Sequence, residues 1–223
     1  MKNHKAAQVF ILGLGLFISS LVSAAPVEKG KEKSAGDATF YIYADRGSRL
    51  NHYAPSGWMG DFGDLKLNQG WVKADKPATK DAKKDKAAAT EDTCIQIKYT
   101  AERKQGAGWG GIYWQHPANN WGDKRGGFDL SSYTKLTFWA KGERGDEVVD
   151  KFFIGGITGQ TEEGDSDEAS IAPVSLGKEW KQYTIDLKGL DLSHIIGGFG
   201  FAANADANPK GFNIYVDEIR LEK

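Results

Sequence analysis

Between residues 105 and 127 the chain reads QGAGWGGIYWQHPANNWGDKRGG. Flat rings stand there beside amides and a carboxylate: Trp109, Tyr113, Trp114, His116, Asn119, Asn120, Trp121 and Asp123. This mixture suits a polar, ring-shaped ligand. The CH face of a sugar stacks on the negative face of an aromatic ring, and amides and acids pair with its hydroxyls. Alternation sorts the strand that carries the rings. Ile112 marks the inward face and takes Gly110, Trp114 and His116 with it, leaving Trp109, Gly111, Tyr113 and Gln115 on the other. Pro117 and the ANNWGD run after it break the strand, so Asn119, Asn120, Trp121 and Asp123 fall in a loop at its end. The competing reading is that Trp109 and Tyr113 fill a second packed layer.

A second stretch belongs with the first. In residues 196–204 (IGGFGFAAN) alternation puts Phe199 and Phe201 on one face and Gly198, Gly200, Ala202 and Asn204 on the other. A strand that is nearly bare on one face can floor a groove. The expected ligand-binding set is Trp109, Tyr113, Gln115, Asn119, Asn120, Trp121, Asp123 and Asn204.

Catalysis is far less readable. Glycosidases usually set two carboxyls across a cleft, about 5–10 Å apart. Asp61, Asp64 and Asp123 are the acids that could converge with His52 or His116, and no residue is assigned a catalytic role. Residues 162–168 (EEGDSDE) contain Glu163, Asp165 and Glu168 in the spacing E-x-D-x-x-E. That spacing is similar to the carboxylates of laminarinase-like glycoside hydrolases, where the intervening residues are apolar and lie on a strand. Here they are Gly164, Ser166 and Asp167, which reads as a solvated loop first and a calcium-binding loop second. Cys94 is the only cysteine, so there is neither an internal disulfide nor a cysteine-based zinc site. It reads as a small packed residue or a semi-buried thiol.

The elements that must position these groups are strands. Twenty-eight glycines, 12% aromatics and many short apolar runs between turn signals point to an all-β chain. Strands are expected at residues 39–43, 64–71, 93–100, 135–141, 151–157, 179–187, 196–204 and 212–221. Ile95, Ile97 and Tyr99 should point inward, while Leu136, Phe138 and Ala140 share one face of their strand and Thr137, Trp139 and Lys141 the other. Residues 44–63 read as one long ordered loop, of the kind that often carries function. Residues 72–92 are built almost wholly of Lys, Asp, Ala, Thr and Pro, and read as a flexible insertion in a loop.

Lys2 and Lys5, an apolar run at 9–22 and the end Val22-Ser23-Ala24 read as a secretory signal peptide cleaved after Ala24. The run is short for a membrane span, and no cysteine follows it for a lipid anchor. The expectation is a periplasmic or secreted protein without membrane insertion. Residues 25–36 read as a disordered tail and residues 37–223 as one domain. The 29 basic and 30 acidic residues nearly cancel, which gives no footprint for nucleic acid.

The later part of the chain resembles the galactose-binding-like jelly rolls, in particular the family 11-like carbohydrate-binding modules. The residues that carry the resemblance are FDLSSYTKLTFWAKG (128–142), EWKQYTIDLKGLDLSHIIGGFGF (179–201) and NIYVDEIRL (213–221). It implies an all-β, two-sheet antiparallel jelly-roll β-sandwich whose concave face binds glycan chains. It also implies a structural calcium, held by an early acidic residue and an Asp of the closing strand. Asp217 matches the latter and Asp45 is the nearest candidate for the former, although the usual early Asp-Phe-Glu pattern is absent. The expected function is non-catalytic carbohydrate binding. The alternatives are a glycan-active hydrolase or lyase on the same fold, and an envelope protein-interaction domain anchored by the aromatics.

Overall fold

The computed structural model describes residues 39–72, 93–157 and 163–223, with the backbone alone of Val72 and of Glu32–Lys33. The expected signal peptide and the insertion, apart from Val72, lie outside the described residues. The principal strands are β1 Thr39–Tyr43, β2 Ala54–Gly60, β3 Leu65–Val72, β4 Thr93–Tyr99, β5 Trp109–Gln115, β6 Lys135–Gly142, β7 Lys151–Gly155, β8 Glu168–Ile171, β9 Lys181–Asp186, β10 Gly197–Asn204 and β11 Phe212–Glu222.

They form two antiparallel sheets. A five-stranded sheet runs in the order β8-β7-β10-β5-β2, and a six-stranded sheet runs β9-β6-β11-β4-β3 with β1 also paired to β11. One edge of β11 is shared: β4 pairs its first half, Phe212–Val216, and β1 pairs its end, from Ile219 onward. An irregularity at Asp217–Arg220, with Glu218 in the left-handed region at φ 46°, separates the two halves.

Period-2 alternation explains the layers. Ile95, Ile97, Tyr99, Leu136, Phe138 and Ala140 from one sheet meet Ile112, Trp114, Phe152, Phe199 and Phe201 from the other in a single buried cluster. Aromatic contacts bind the two sheets at the centre. Phe138 lies 4.7 Å from Phe152 and 5.2 Å from Phe199 between ring centroids. Cys94 is fully buried, as a small packed residue should be.

Three expectations are corrected. Residues 44–63 are not one loop, because Ala54–Gly60 within them is the edge strand β2. Pro55 and three weak strand formers hide it, and an edge position with a register shift at Pro55–Gly57 tolerates them. The acidic stretch likewise passes at Glu168 into β8, the opposite edge. In the tail read as disordered, Glu32–Lys33 pairs parallel with Phe128–Asp129.

Phe138→Ala should remove about 3–5 kcal/mol of stability, because rigid rings from both sheets would line the cavity. Urea unfolding followed by circular dichroism measures it.

Candidate functional site

The outer face of the five-stranded sheet is set by the same alternation. Trp109, Gly111, Tyr113 and Gln115 of β5 face away from the core, flanked by Met59 and Gly57 of β2, by Gly200, Ala202 and Asn204 of β10, and by Phe153 of β7. Much of this floor has no side chain, and it cannot acquire one without movement. A Cβ on Gly200 would come 2.5 Å from the Phe153 ring, and one on Gly57 would come 2.8 Å from Tyr113 Cβ. A Cβ on Gly197 would run into the Tyr113 ring itself. The bulge between Gly197 and Phe199 gives Gly197 the place in the floor that alternation assigns to Gly198.

Tyr113 therefore lies low over the sheet. It is only 3% exposed although it points outward. Its ring meets Phe153 edge-on at 5.0 Å and Trp121 at 6.1 Å, and its hydroxyl donates to the Gly155 carbonyl. Burial, then the nearby Asp165 and Glu168 carboxylates, push its phenol well above its ordinary value, so it stays neutral. The open rings are Trp109 at 39% and Trp121 at 43% exposed. Trp109 starts the strand, and Tyr113, which carries Trp121, follows four residues on. That spacing is about 13 Å along a strand.

The polar residues of the expected set divide differently. Asn120 is fully buried and organises its own loop. Its Nδ2 donates to the carbonyls of His116 and Lys124, and its Oδ1 accepts from the amides of Gly122 and Lys124. Gln115, 1% exposed, donates from Nε2 to the Asn120 carbonyl at 2.7 Å and accepts from Ser56 Oγ at 2.9 Å. Asn204 is held by Asp150 Oδ1 and by the Ala207 amide. All three give their amide groups to the protein itself, Gln115 and Asn120 buried and Asn204 half-buried on the outer face. Asn119 and Asp123 are exposed. Asp123 Oδ1 accepts from the Trp121 amide at 3.2 Å, which fixes the loop that carries that indole.

Asp61 and Asp64 stand at the opposite end of β5 from His116. Asp61 is buried and accepts from the amides of Gln105, Ala107 and Gly108. Burial raises its carboxyl, but these amides outweigh burial and hold it below the usual range. Asp64 Oδ2 accepts from the Arg103 amide at 2.7 Å. Both acids clamp the loop before β5, and the Asp61 amide bonds the Trp109 carbonyl at the strand's start. His116 follows the strand's end, about 20 Å away by the strand rise. His52 stacks on Phe40 at 4.0 Å and bonds the Tyr41 carbonyl.

Asp165 is no solvated loop residue. It is 6% exposed, and its carboxylate accepts from the amides of Ile157, Ile196 and Gly197. It anchors the start of the glycine strand. For the metal, Asp45 accepts from the Thr93 amide at 3.0 Å, and Asp217 is fully buried on β11. Both act electrostatically on the Tyr43 hydroxyl. Calcium takes six to eight oxygens, and among the described residues no three His, Cys, Asp or Glu side chains gather to hold a metal. The two carboxylates would supply part of that oxygen set.

Phe153 and Met59 were missed by the sequence reading. Alternation within KFFIG signals Phe153, while Met59 was hidden with β2.

The comparisons agree with this geometry. Residues 50–223 match the sequence model of carbohydrate binding domain 30. The chain belongs to that family. Its fold is that of a family 30 carbohydrate-binding module crystal structure, with TM-score 0.50 and 17% identity over 82% of this chain and 87% of that one. The family 30 module of the Clostridium thermocellum cellulosomal cellulase Cel9D-Cel44B gives TM-score 0.50 and 16% identity over 83% and 97%. A family 11 module of Lic26A-Cel5E from the same organism gives TM-score 0.49 and 17% identity over 84% and 96%. No curated protein sequence matches. The chain is thus a carbohydrate-binding β-sandwich, as the resemblance implied.

Burial pushes the Asp165 carboxyl from 3.8 up to about 6, against the pull of the Ile157, Gly197 and Ile196 amides and of His194. A folded value above the unfolded one means that folding favours the protonated acid. Its contribution is complete below about pH 4 and is lost as pH rises through about 6, at most about 3 kcal/mol in total. Urea midpoints across that window should fall with rising pH, and Asp165→Asn should remove that slope even if it lowers stability throughout.

Proposed function

We propose that this carbohydrate-binding domain holds an extended, neutral glycan on the outer face of the five-stranded sheet and releases it unchanged. The observation that carries the reading is two half-open indoles, Trp109 and Trp121, on a floor stripped of side chains at Gly57, Gly111 and Gly200. A bare floor lets a flat chain approach the backbone, and open indoles offer its CH faces a stacking surface. Tyr113 and Phe153 support the floor from within it. Asn119 and Asp123, at the loop beside Trp121, are the exposed polar groups offered to hydroxyls. Gln115, Asn120 and Asn204 act by holding that shape.

The use of three of the buried acids supports binding without turnover. Asp61, Asp64 and Asp165 are committed to backbone amides. The sites of action are proposed to be the periplasm or the exterior, on the strength of the leader-like first 24 residues. N-terminal sequencing of the protein recovered from a secreting host tests that placement, and a start at Ala25 is expected.

The similarity to a cellulase's module makes cello-oligosaccharides the first ligands to try. In isothermal titration, Trp109→Ala and Trp121→Ala should each weaken binding by about 1–2 kcal/mol, five- to thirtyfold, with the fold intact. Reducing-sugar release that disappears in Asp123→Asn or Glu168→Gln would instead make the protein an enzyme.

A further inference from the structure

The opposite face of the sandwich, the outer surface of the six-stranded sheet, also carries rings. Trp71 on β3 is 41% exposed, and its ring lies 5.9 Å from that of Tyr215 on β11. Tyr215, Cys94 and Trp180 form a small apolar cluster separate from the main core, with Trp139 packed against it. Amides continue the same face. Asn68 stands opposite Gln96 across β3 and β4, and Gln96 stands opposite Tyr215 and donates to its hydroxyl at 3.4 Å.

Cations surround these rings. Lys66 and Lys98, both exposed, are direct cross-strand partners. Like charges placed this way weaken a ladder, and among the described residues no ion pair offsets them. Lys141 Nζ lies 5.4 Å from the Trp180 ring and 5.5 Å from the Tyr215 ring. The Arg46 guanidinium lies against Gly70, next to Trp71, where a Cβ would come 2.8 Å from its Nη1. Two acids share this face: Glu143, which accepts from Asn213 Nδ2 at 2.6 Å and from the Tyr215 hydroxyl at 3.5 Å, and Asp217, which is fully buried, so that among the described residues four cations but only one carboxylate reach solvent around the rings. The near-zero net charge of the whole chain conceals a locally positive, ring-bearing surface.

We propose that this face is a second binding site, for an anionic glycan whose sugar rings carry carboxylates, that is, a uronate polymer. Trp71, backed by Tyr215, supplies the stacking surface. Asn68 and Gln96 take hydroxyls. Lys66, Lys98, Lys141 and Arg46 face the carboxylates, which relieves the repulsion between the paired lysines. A nucleic-acid strand also combines rings with anions, but its sites stack successive bases on several open rings. Among the described residues this face has one half-open ring, Trp71, and amides suited to hydroxyls. Because it lies on the other sheet, the site is independent of the Trp109 face.

Affinity electrophoresis of the full chain through gels containing polygalacturonate tests the proposal, with gels containing hydroxyethylcellulose or dextran sulfate and a labelled oligothymidylate shift assay as the comparisons. Retardation by polygalacturonate is expected. It should fall at least tenfold in Trp71→Ala and in the double variant Lys66→Glu/Lys98→Glu, weaken on raising salt, and persist in Trp109→Ala. Trp71 is exposed, and circular dichroism verifies that its variant is folded. No retardation overturns the proposal, as does retardation that Trp71→Ala leaves unchanged. Equal retardation by dextran sulfate shows cation exchange only and overturns it. Loss in Trp109→Ala instead would assign the binding to the other face. Trp71-dependent binding of oligothymidylate or hydroxyethylcellulose in preference to polygalacturonate would make the site one for nucleic acid or neutral glycan.

Discussion

The absence of side chains along three neighbouring strands is the constraint on which the candidate face depends. Tyr113 can lie low on the outside of the sheet only because Gly197 beneath it and Gly57 beside it lack a Cβ, and Phe153 reaches it because Gly200 is bare. The ring is then held by its hydroxyl on the Gly155 carbonyl and by edge contacts to Phe153 and Trp121. An aromatic that faces outward is thereby sealed almost completely, and its neighbours Trp109 and Trp121 are left standing above it. The floor is a packed layer with two open rings on it, which reconciles the readings of ligand platform and second packed layer: Tyr113 belongs to the layer and the indoles to the surface.

Carboxylates and amides hold this arrangement from its ends. Asp61 gathers the backbone amides of the loop that leads into β5. Asp165 gathers those that begin β10. Asn120 closes the loop that carries Trp121. Each satisfies backbone groups that burial would otherwise leave without water. Their polarity is spent on making the irregular segments definite, which is why residues that look like chemistry in the sequence act here as scaffolding.

The division of β5 into Trp109 and Tyr113 on one side and Ile112 and Trp114 on the other was legible, because a period of two depends on no partner. So were the inward faces of β4 and β10, and the division of β6 into two faces. The roles of Gln115 and Asn120 were not, since an amide looks the same whether it serves a ligand or a carbonyl. For Asn120 the clue was local: both carbonyls it bonds lie four residues away. Strand β2 was hidden because Pro55, Gly57 and Gly60 argue against a strand, and only its edge position allows them. The role of Asp165 was unreadable, because two of its three amides come from Ile196 and Gly197, where β10 begins some thirty residues further along the chain. The burial of Tyr113 likewise needs Phe153, forty residues away in sequence, whose position only the sheet order supplies.

The central claim is that sugar is met by the indoles of the five-stranded sheet. Following the indole N–H signals by nuclear magnetic resonance while cellohexaose is added tests it most directly. The account predicts shifts at Trp109 and Trp121, with Trp114 and Trp71 unmoved. Shifts confined to Trp71, Trp139 or Trp180, or binding that moves none of the indoles, would contradict it.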